Sequence, residues 1–563
     1  MFKKLVLSFV FVSWLFVVRV HCEDPYVFFK WHVTFGNLSL VGVPQQVILI
    51  NGKFPGPTIN CSTNENIVVN VFNEINEPIL FTWNGIRQRK NSWQDGRPGV
   101  NCPIQPGTNY TYKFQVKDQI GSFFYYPTTS LHRAAGGYGA INVHSRPKIP
   151  VPFDWPAEEF NVLIADWYIK SHSALKKILD GGKRTLRRPA GIIINDKSGK
   201  GDGKDEPLFT MQPGLTYRFR FCNVGLKTSL NVRFQDHDMK LVEIEGSHTV
   251  QYDYDSLDIH LGQCLSVLVT ADQEPKDYYL VVYTRFRKPS LNATATIRYA
   301  STPDGMVVRP SAELPPPPPN DPPLAIAWSI NQFRSFKRNL TASAARPNPQ
   351  GSYRYGSINI TRTIRIASSA GTVNGKIRYA LNGISHEDTE TPLKLAEYFG
   401  VADKVFEYNS MKDKPPDNLN RIVVKPNVLN GTYRNFVEII FENSEKSIQS
   451  YHLSGYTFFA VAIESGKWSP KNRKDYNMID AVSRYSIQVY PGSWAAILTA
   501  FDNAGMWNLR AQTLERNYLG QQLYISVLSP EKSLRDEYNI PETFPLCGIV
   551  EDMPMPPPAY TMF

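Results

Sequence analysis

A chain of 563 residues is too long for one hydrophobic core, so two to four domains are expected. Its 42% hydrophobic and 12% aromatic content excludes a disordered polymer. The formal charge of +10 is modest for so large a surface, and no nucleic-acid partner is expected.

At the N-terminus, Lys3 and Lys4 precede an apolar run over 5–18 that is too short to cross a bilayer comfortably, which predicts a secretory signal peptide over 1–22. No second apolar stretch of spanning length follows, and the tail 553–563 lacks the hydrophobicity of a lipid-anchor signal. Loss of the leader removes Lys3, Lys4 and Arg19 and leaves 58 basic against 51 acidic residues, a charge of +7. Seven Asn-X-Ser/Thr sequons, at Asn37, Asn60, Asn109, Asn292, Asn339, Asn359 and Asn430, agree with passage through the secretory pathway.

Period-two alternation at 67–72, 110–116 and 217–221, beside apolar runs such as 47–50, predicts strands separated by Pro, Gly and Asn turns. Only short helices are expected, at 173–180 and 392–398. Pro-Gly turns recur at 106–107, 213–214 and 491–492, and Asn-containing turns after an apolar strand recur at 51–52, 195–196 and 382–383. Three copies of each imply three related units. The Pro-rich stretch 314–323 predicts a stiff extended connection ahead of the last unit.

Five cysteines follow the leader: Cys61, Cys102, Cys222, Cys264 and Cys547. An odd number in an oxidising compartment leaves one unpaired, expected to be Cys61. Cys222 and Cys264 lie in strand-like segments and either pair or stay as two buried thiols.

Four stretches carry the chemistry: Thr82-Trp83-Asn84-Gly85, residues 121–128 ending in Tyr126-Pro127-Thr128, Gln449-Ser450-Tyr451-His452-Leu453-Ser454-Gly455, and Trp507-Asn508-Leu509-Arg510-Ala511-Gln512. In order and spacing they resemble the multicopper oxidase family, whose stretches read His-Trp-His-Gly, Tyr-His-Gly-His, His-Pro-X-His-Leu-His-Gly and His-Cys-His. The resemblance implies an all-β chain of three cupredoxin-like Greek-key β-sandwich domains, over 23–147, 148–303 and 346–563, with a Pro-rich linker at 304–345. It also implies a disulfide between Cys102 and Cys547. The segments 43–51, 89–96 and 131–136 are similar to a ligand-depleted plant branch, ascorbate-oxidase-like, pollen-specific or monocopper-oxidase-like.

The implied copper positions carry other residues: Thr82, Asn84, Tyr126, Thr128, Gln449, Ser454, Arg510, Ala511, Gln512, Arg516 and Gln521, with His452 the one of twelve that matches. Ala511 offers no thiolate to a blue copper centre, and none of the ten histidines forms a His-X-His pair. His452 is therefore expected to be a hydrogen-bonded relic, and His132, at a non-ligand position, likewise. A shallow metal site built from histidines distant in sequence, such as His144 or His260, stays open. Asp95, where the family places an acid, is expected to cap a turn ahead of Gly96. Arg510 and Arg516 are expected to pair with buried carboxylates, with an anionic ligand as the alternative.

No catalytic residue and no cofactor are expected. The expected function is that of a secreted glycoprotein of the plant apoplast or cell wall, lacking four-copper oxidase activity and serving wall or directional and pollen-tube growth, with acidic wall polysaccharide as a partner. The alternative is an oxidoreductase that retains one copper ion.

Overall fold

Alternation builds the first sheets: along Asn109–Gln115, Tyr110, Tyr112 and Phe114 point inward while Asn109 and Lys113 face water. The computed structural model describes residues 24–562 except 183, 203, 301–309, 311, 312 and 343–353. The expected leader lies outside the described residues, as do parts of the expected linker and the first residues of the third expected domain.

Six sheets pack as three pairs. Strands Gln45–Ile50, Tyr26–Leu38, Asn66–Asn73 and Asn109–Gln115 form one sheet of the first unit, and Ile59–Ser62, Gly139–His144, Gly121–Pro127 and Phe81–Asn84 the other. A seven-stranded and a five-stranded sheet make the second unit, and an eight-stranded and a five-stranded sheet the third. Within each unit the first strand pairs in parallel with a later one, as Tyr26–Leu38 does with Asn66–Asn73, a crossover that a simple meander lacks. This is the cupredoxin-like Greek-key sandwich, three times over.

Aromatic rings fill the first core, with Trp31 and Trp83 at 5.8 Å between centroids and Tyr125 4.4 Å from Trp31. Burying one such ring removes on the order of 200 Å² from water, about 5 kcal/mol before entropy is subtracted. The same core takes in Leu393, Leu395, Phe399, Phe544 and Val550 from the last third of the chain. That packing carries the tail back to the first unit, where Cys102 and Cys547 form a disulfide.

Cys222 and Cys264 stand opposite each other in an antiparallel register and are bonded, so the alternative of two separate thiols is set aside. Cys61 is the free cysteine among the described residues; burial first, then Glu65, pushes its thiol up to about 12, which leaves it unreactive. The two short helices expected from the sequence are His172–Asp180 and Leu393–Tyr398.

The connection to the third unit corrects a sequence expectation. Its Pro-rich part runs without regular structure to Asn320, but Pro322–Ser335 is a 14-residue helix. Pro322 and Pro323 fall in the first turn, where no intrahelical N–H is needed, so they start the helix rather than preclude it. Gln332 Oε1 accepts the Asp258 amide at 2.8 Å and Ser329 Oγ accepts the Tyr490 hydroxyl at 2.7 Å, which clamps the helix between the second and third units.

Replacing Cys102 and Cys547 with Ser should lower stability by about 4 kcal/mol or more, because the bridge closes a 445-residue separation. Calorimetric unfolding of the two forms measures this, and an unchanged transition would contradict it.

Candidate functional site: the degenerate copper frame

Two antiparallel pairings assemble the frame. Phe81–Asn84 lies against Gly121–Pro127 with Thr82 opposite Tyr126, and Gln449–Leu453 lies against Gly505–Ala511 with His452 opposite Arg510. Most of the twelve positions fall into two hydrogen-bonded groups, one between the first and third units and one within the third. All are buried except Thr128, which is half-buried and donates to Gly96 O at 2.7 Å.

Arg510 is the hub of the first group. Its Nε donates to Tyr126 Oη at 3.2 Å, Nη1 to Ser454 Oγ at 2.9 Å, and Nη2 to Asn84 Oδ1 at 3.3 Å. Gln512 Nε2 also donates to Asn84 Oδ1, at 3.0 Å. Arg133 lies over the Tyr126 ring, 4.4 Å from its centroid, and donates to Gln512 Oε1 at 3.4 Å. Sequence reasoning expected Arg510 to meet a buried carboxylate, but its direct partners are all neutral. Asp95 acts on it through space.

Asp95 also departs from its expected role. The Gly96 amide is held by Asn101 Oδ1 at 2.9 Å, so the turn needs no cap from Asp95. Gly96 is required there because its φ is +69° and an added Cβ would meet Phe81 O at 1.6 Å. The Asp95 carboxyl faces Ser454 instead. Burial raises its pKa against the pull of Arg510, Arg97 and the Ser454 hydrogen bond.

Three buried guanidiniums, Arg97, Arg133 and Arg510, thus act on the one Tyr126 phenol, and two of them, Arg97 and Arg510, on the Asp95 carboxyl. Burial alone would raise the Tyr126 pKa, but Arg510, Arg133 and Arg97 outweigh it and hold the phenol below its ordinary value. Burial and the same cations hold His452 well below the usual imidazole range, so its ring is neutral. His452 Nε2 accepts the Gly85 amide at 3.1 Å.

The second group closes on itself. Gln449 Nε2 donates to Ser368 Oγ at 2.8 Å and to Glu445 Oε1 at 3.0 Å, and Gln521 Nε2 donates to Gln449 Oε1 at 2.6 Å. Arg516 forms a two-armed ion pair with Glu445, at 3.0 and 2.7 Å, and donates to Gln521 Oε1 at 2.9 Å. The expected carboxylate partner exists here. Ala511 joins only through its amide, which donates to Gln521 O at 3.0 Å.

Copper is the group this frame implies, and the residues do not fit it. The second group holds no sulfur and no imidazole where a blue centre needs a His2Cys set. In the first group the single imidazole has its Nε2 lone pair engaged by Gly85, and the guanidiniums repel a further cation. Arg97, Arg133 and Glu445 were not singled out from the sequence. Arg133 lies within the 131–136 segment that carried the resemblance, but nothing in its spacing marks it as facing Tyr126.

The remaining residues that the sequence pointed to lie elsewhere. Among the sequons, Asn37, Asn60, Asn109, Asn292 and Asn359 are exposed, whereas Asn339 and Asn430 are half-buried. His260 is enclosed between Ser229 and Tyr490, and half-buried His144 lies 3.9 Å from Glu159.

Arg516→Ala should destabilise the fold by about 3 kcal/mol by stranding Glu445, whose side chain is 19% exposed. Despite burial, Arg516 holds the Glu445 carboxyl below its ordinary value. The pair's contribution is therefore present above the ordinary carboxylate pKa and lost as pH falls through the lowered one, so wild type and variant should converge in acid denaturation series. Ultraviolet titration should also show one tyrosine ionising ahead of the rest, and Arg510→Met should abolish that early phase.

Family models described as multicopper oxidase match residues 32–148, 158–302 and 390–533. The chain is 66% identical to an L-ascorbate oxidase homolog of Nicotiana tabacum, over 96% of this chain and 97% of that one. It is 45% identical to the monocopper oxidase-like protein SKU5 of Arabidopsis thaliana, over 99% and 94%. In fold it is similar to the multicopper oxidase Fet3p, with a TM-score of 0.72 at 20% identity over 89% of this chain and 90% of that one. The chain belongs to the multicopper oxidase family.

Proposed function

We propose that this protein is a secreted, extracellular glycoprotein of the plant wall that uses the oxidase fold as a scaffold without copper, in support of wall and directional or pollen-tube growth. The observation that carries this is the Arg510 group, in which protein hydrogen bonds and a fixed cation fill positions where the family resemblance implies imidazoles. The alternative of a single copper at His452 is disfavoured by the Gly85 amide on its Nε2. Among the described residues no helix is long and apolar enough to cross a membrane.

Acidic wall polysaccharide is the partner we propose. One face of the first sheet supports it: Tyr26 and Phe28 are 50% and 71% exposed with rings 6.1 Å apart, and beside them Lys30 Nζ lies 4.9 Å over Phe72. Flat exposed rings next to a cation suit a sugar acid. A depression of about 690 Å³ lined by Asp154, Asp236, Asp238, Asp253 and Asp272 carries the wrong sign for a polyanion.

Purified protein supplied with copper should show no intense visible absorption and no oxidation of ascorbate; a blue, stoichiometric copper protein would overturn the proposal. Retention on a pectate matrix should weaken as salt approaches about 0.15 M, where charges beyond roughly 8 Å are screened, and weaken further in Phe28→Ser/Lys30→Glu. Absence of retention at low salt would remove the polysaccharide from the proposal.

A further inference from the structure

Glu77, His132 and His172 are brought together from three parts of the chain. Glu77 follows the strand Asn66–Asn73, His132 opens the short helix His132–Ala135, and His172 opens His172–Asp180 in the second unit. His132 Nε2 lies 2.9 Å from Glu77 Oε2, and His172 Nε2 lies 3.1 Å from Oε1 and 3.3 Å from Oε2. The three ligand atoms all fall within 4.8 Å of one another.

Packing aims both rings at this point. They are 1% and 3% exposed with centroids 5.2 Å apart, and Phe35 stacks on His172 at 5.8 Å. Ser171 Oγ accepts the Ala174 amide at 3.2 Å and fixes the helix start that carries His172. Both Nδ1 atoms are buried without partners, so Nε2 is the only nitrogen of each ring directed at a polar group. The Glu77 side chain stays 38% exposed, which leaves one side open to water.

We propose that Glu77, His132 and His172 form a binding site for a divalent transition ion of the zinc class, at the junction of the first and second units. Two imidazole nitrogens and a carboxylate oxygen with one open side make the three-ligand-plus-water set that zinc accepts. Tetrahedral bonds of about 2.0–2.1 Å put ligand atoms about 3.3 Å apart, so the 2.9–3.3 Å separations between the carboxylate and the two imidazoles need only a small opening, and the two imidazole nitrogens lie within 4.8 Å of each other. No Lys or Arg competes for the Glu77 carboxylate among the described residues, in contrast to the cation-rich Arg510 group. Binding would join the first unit to the helix of the second. The alternative is two imidazoles hydrogen-bonded to one carboxylate, with no ion.

The test titrates chelator-treated full-length protein with Zn²⁺ alone, by calorimetry and by metal analysis after dialysis. One equivalent is expected, with a rise in melting temperature. Glu77→Gln and His172→Ala should each weaken binding at least about ten-fold, cancel that rise, and leave the zinc-free melting temperature within a few degrees of wild type. His172→Cys, which keeps a zinc ligand, should retain binding if the first two variants have merely misfolded. No zinc uptake, or equal uptake by wild type and Glu77→Gln, overturns the site. Neither result bears on the copper-free frame, because an ion held by nitrogen and oxygen gives no thiolate colour.

Discussion

A guanidinium cannot be buried without partners, and Arg510 sets that demand at the seam between the first and third units. The strand pairing that places Arg510 beside His452 leaves it no access to bulk water, so the surrounding residues must supply acceptors. Asn84, Tyr126 and Ser454 do so, one for each nitrogen. Three positions of the frame are thereby tied to a fourth, and removing the acceptor at any one of them would leave an Arg510 N–H unpaired.

The two groups settle buried charge in different ways. Arg516 meets Glu445 in a two-armed pair at the edge of the interior, where a forked donor and a carboxylate match in geometry. Arg510 has only neutral acceptors, and its charge is shared through space with Asp95 and with Tyr126, whose phenol shifts toward ionisation. The first arrangement is a local lock that depends on one carboxylate. The second is a collective one in which Arg97, Arg133 and Arg510 together bias the Tyr126 phenol toward ionisation and Arg97 and Arg510 pull on the Asp95 carboxyl.

The sheets were legible because alternation and turn residues are local signals; Tyr110, Tyr112 and Phe114 announce their inward face without help from the rest of the chain. The frame was legible for a different reason, since its order and spacing resemble those of the family although its side chains differ from the implied ligands. What stayed hidden depends on contacts between distant segments. Nothing near Arg133 says that it will lie over Tyr126, and Glu77, His132 and His172 are 55 and 40 residues apart with no shared pattern. The helix Pro322–Ser335 was hidden by its own prolines, which speak against a helix interior but not against a helix start.

The bridge between Cys102 and Cys547 has a consequence for how the protein is made. Cys222 and Cys264 are 42 residues apart and can join soon after both have emerged, whereas Cys102 must wait for a partner 445 residues later. At about 5–20 residues per second, that thiol stays open for roughly 20–90 seconds of synthesis. During the wait the first unit lacks Leu393, Leu395, Phe399, Phe544 and Val550, which complete its core. The first domain to be synthesised is thus among the last to be finished.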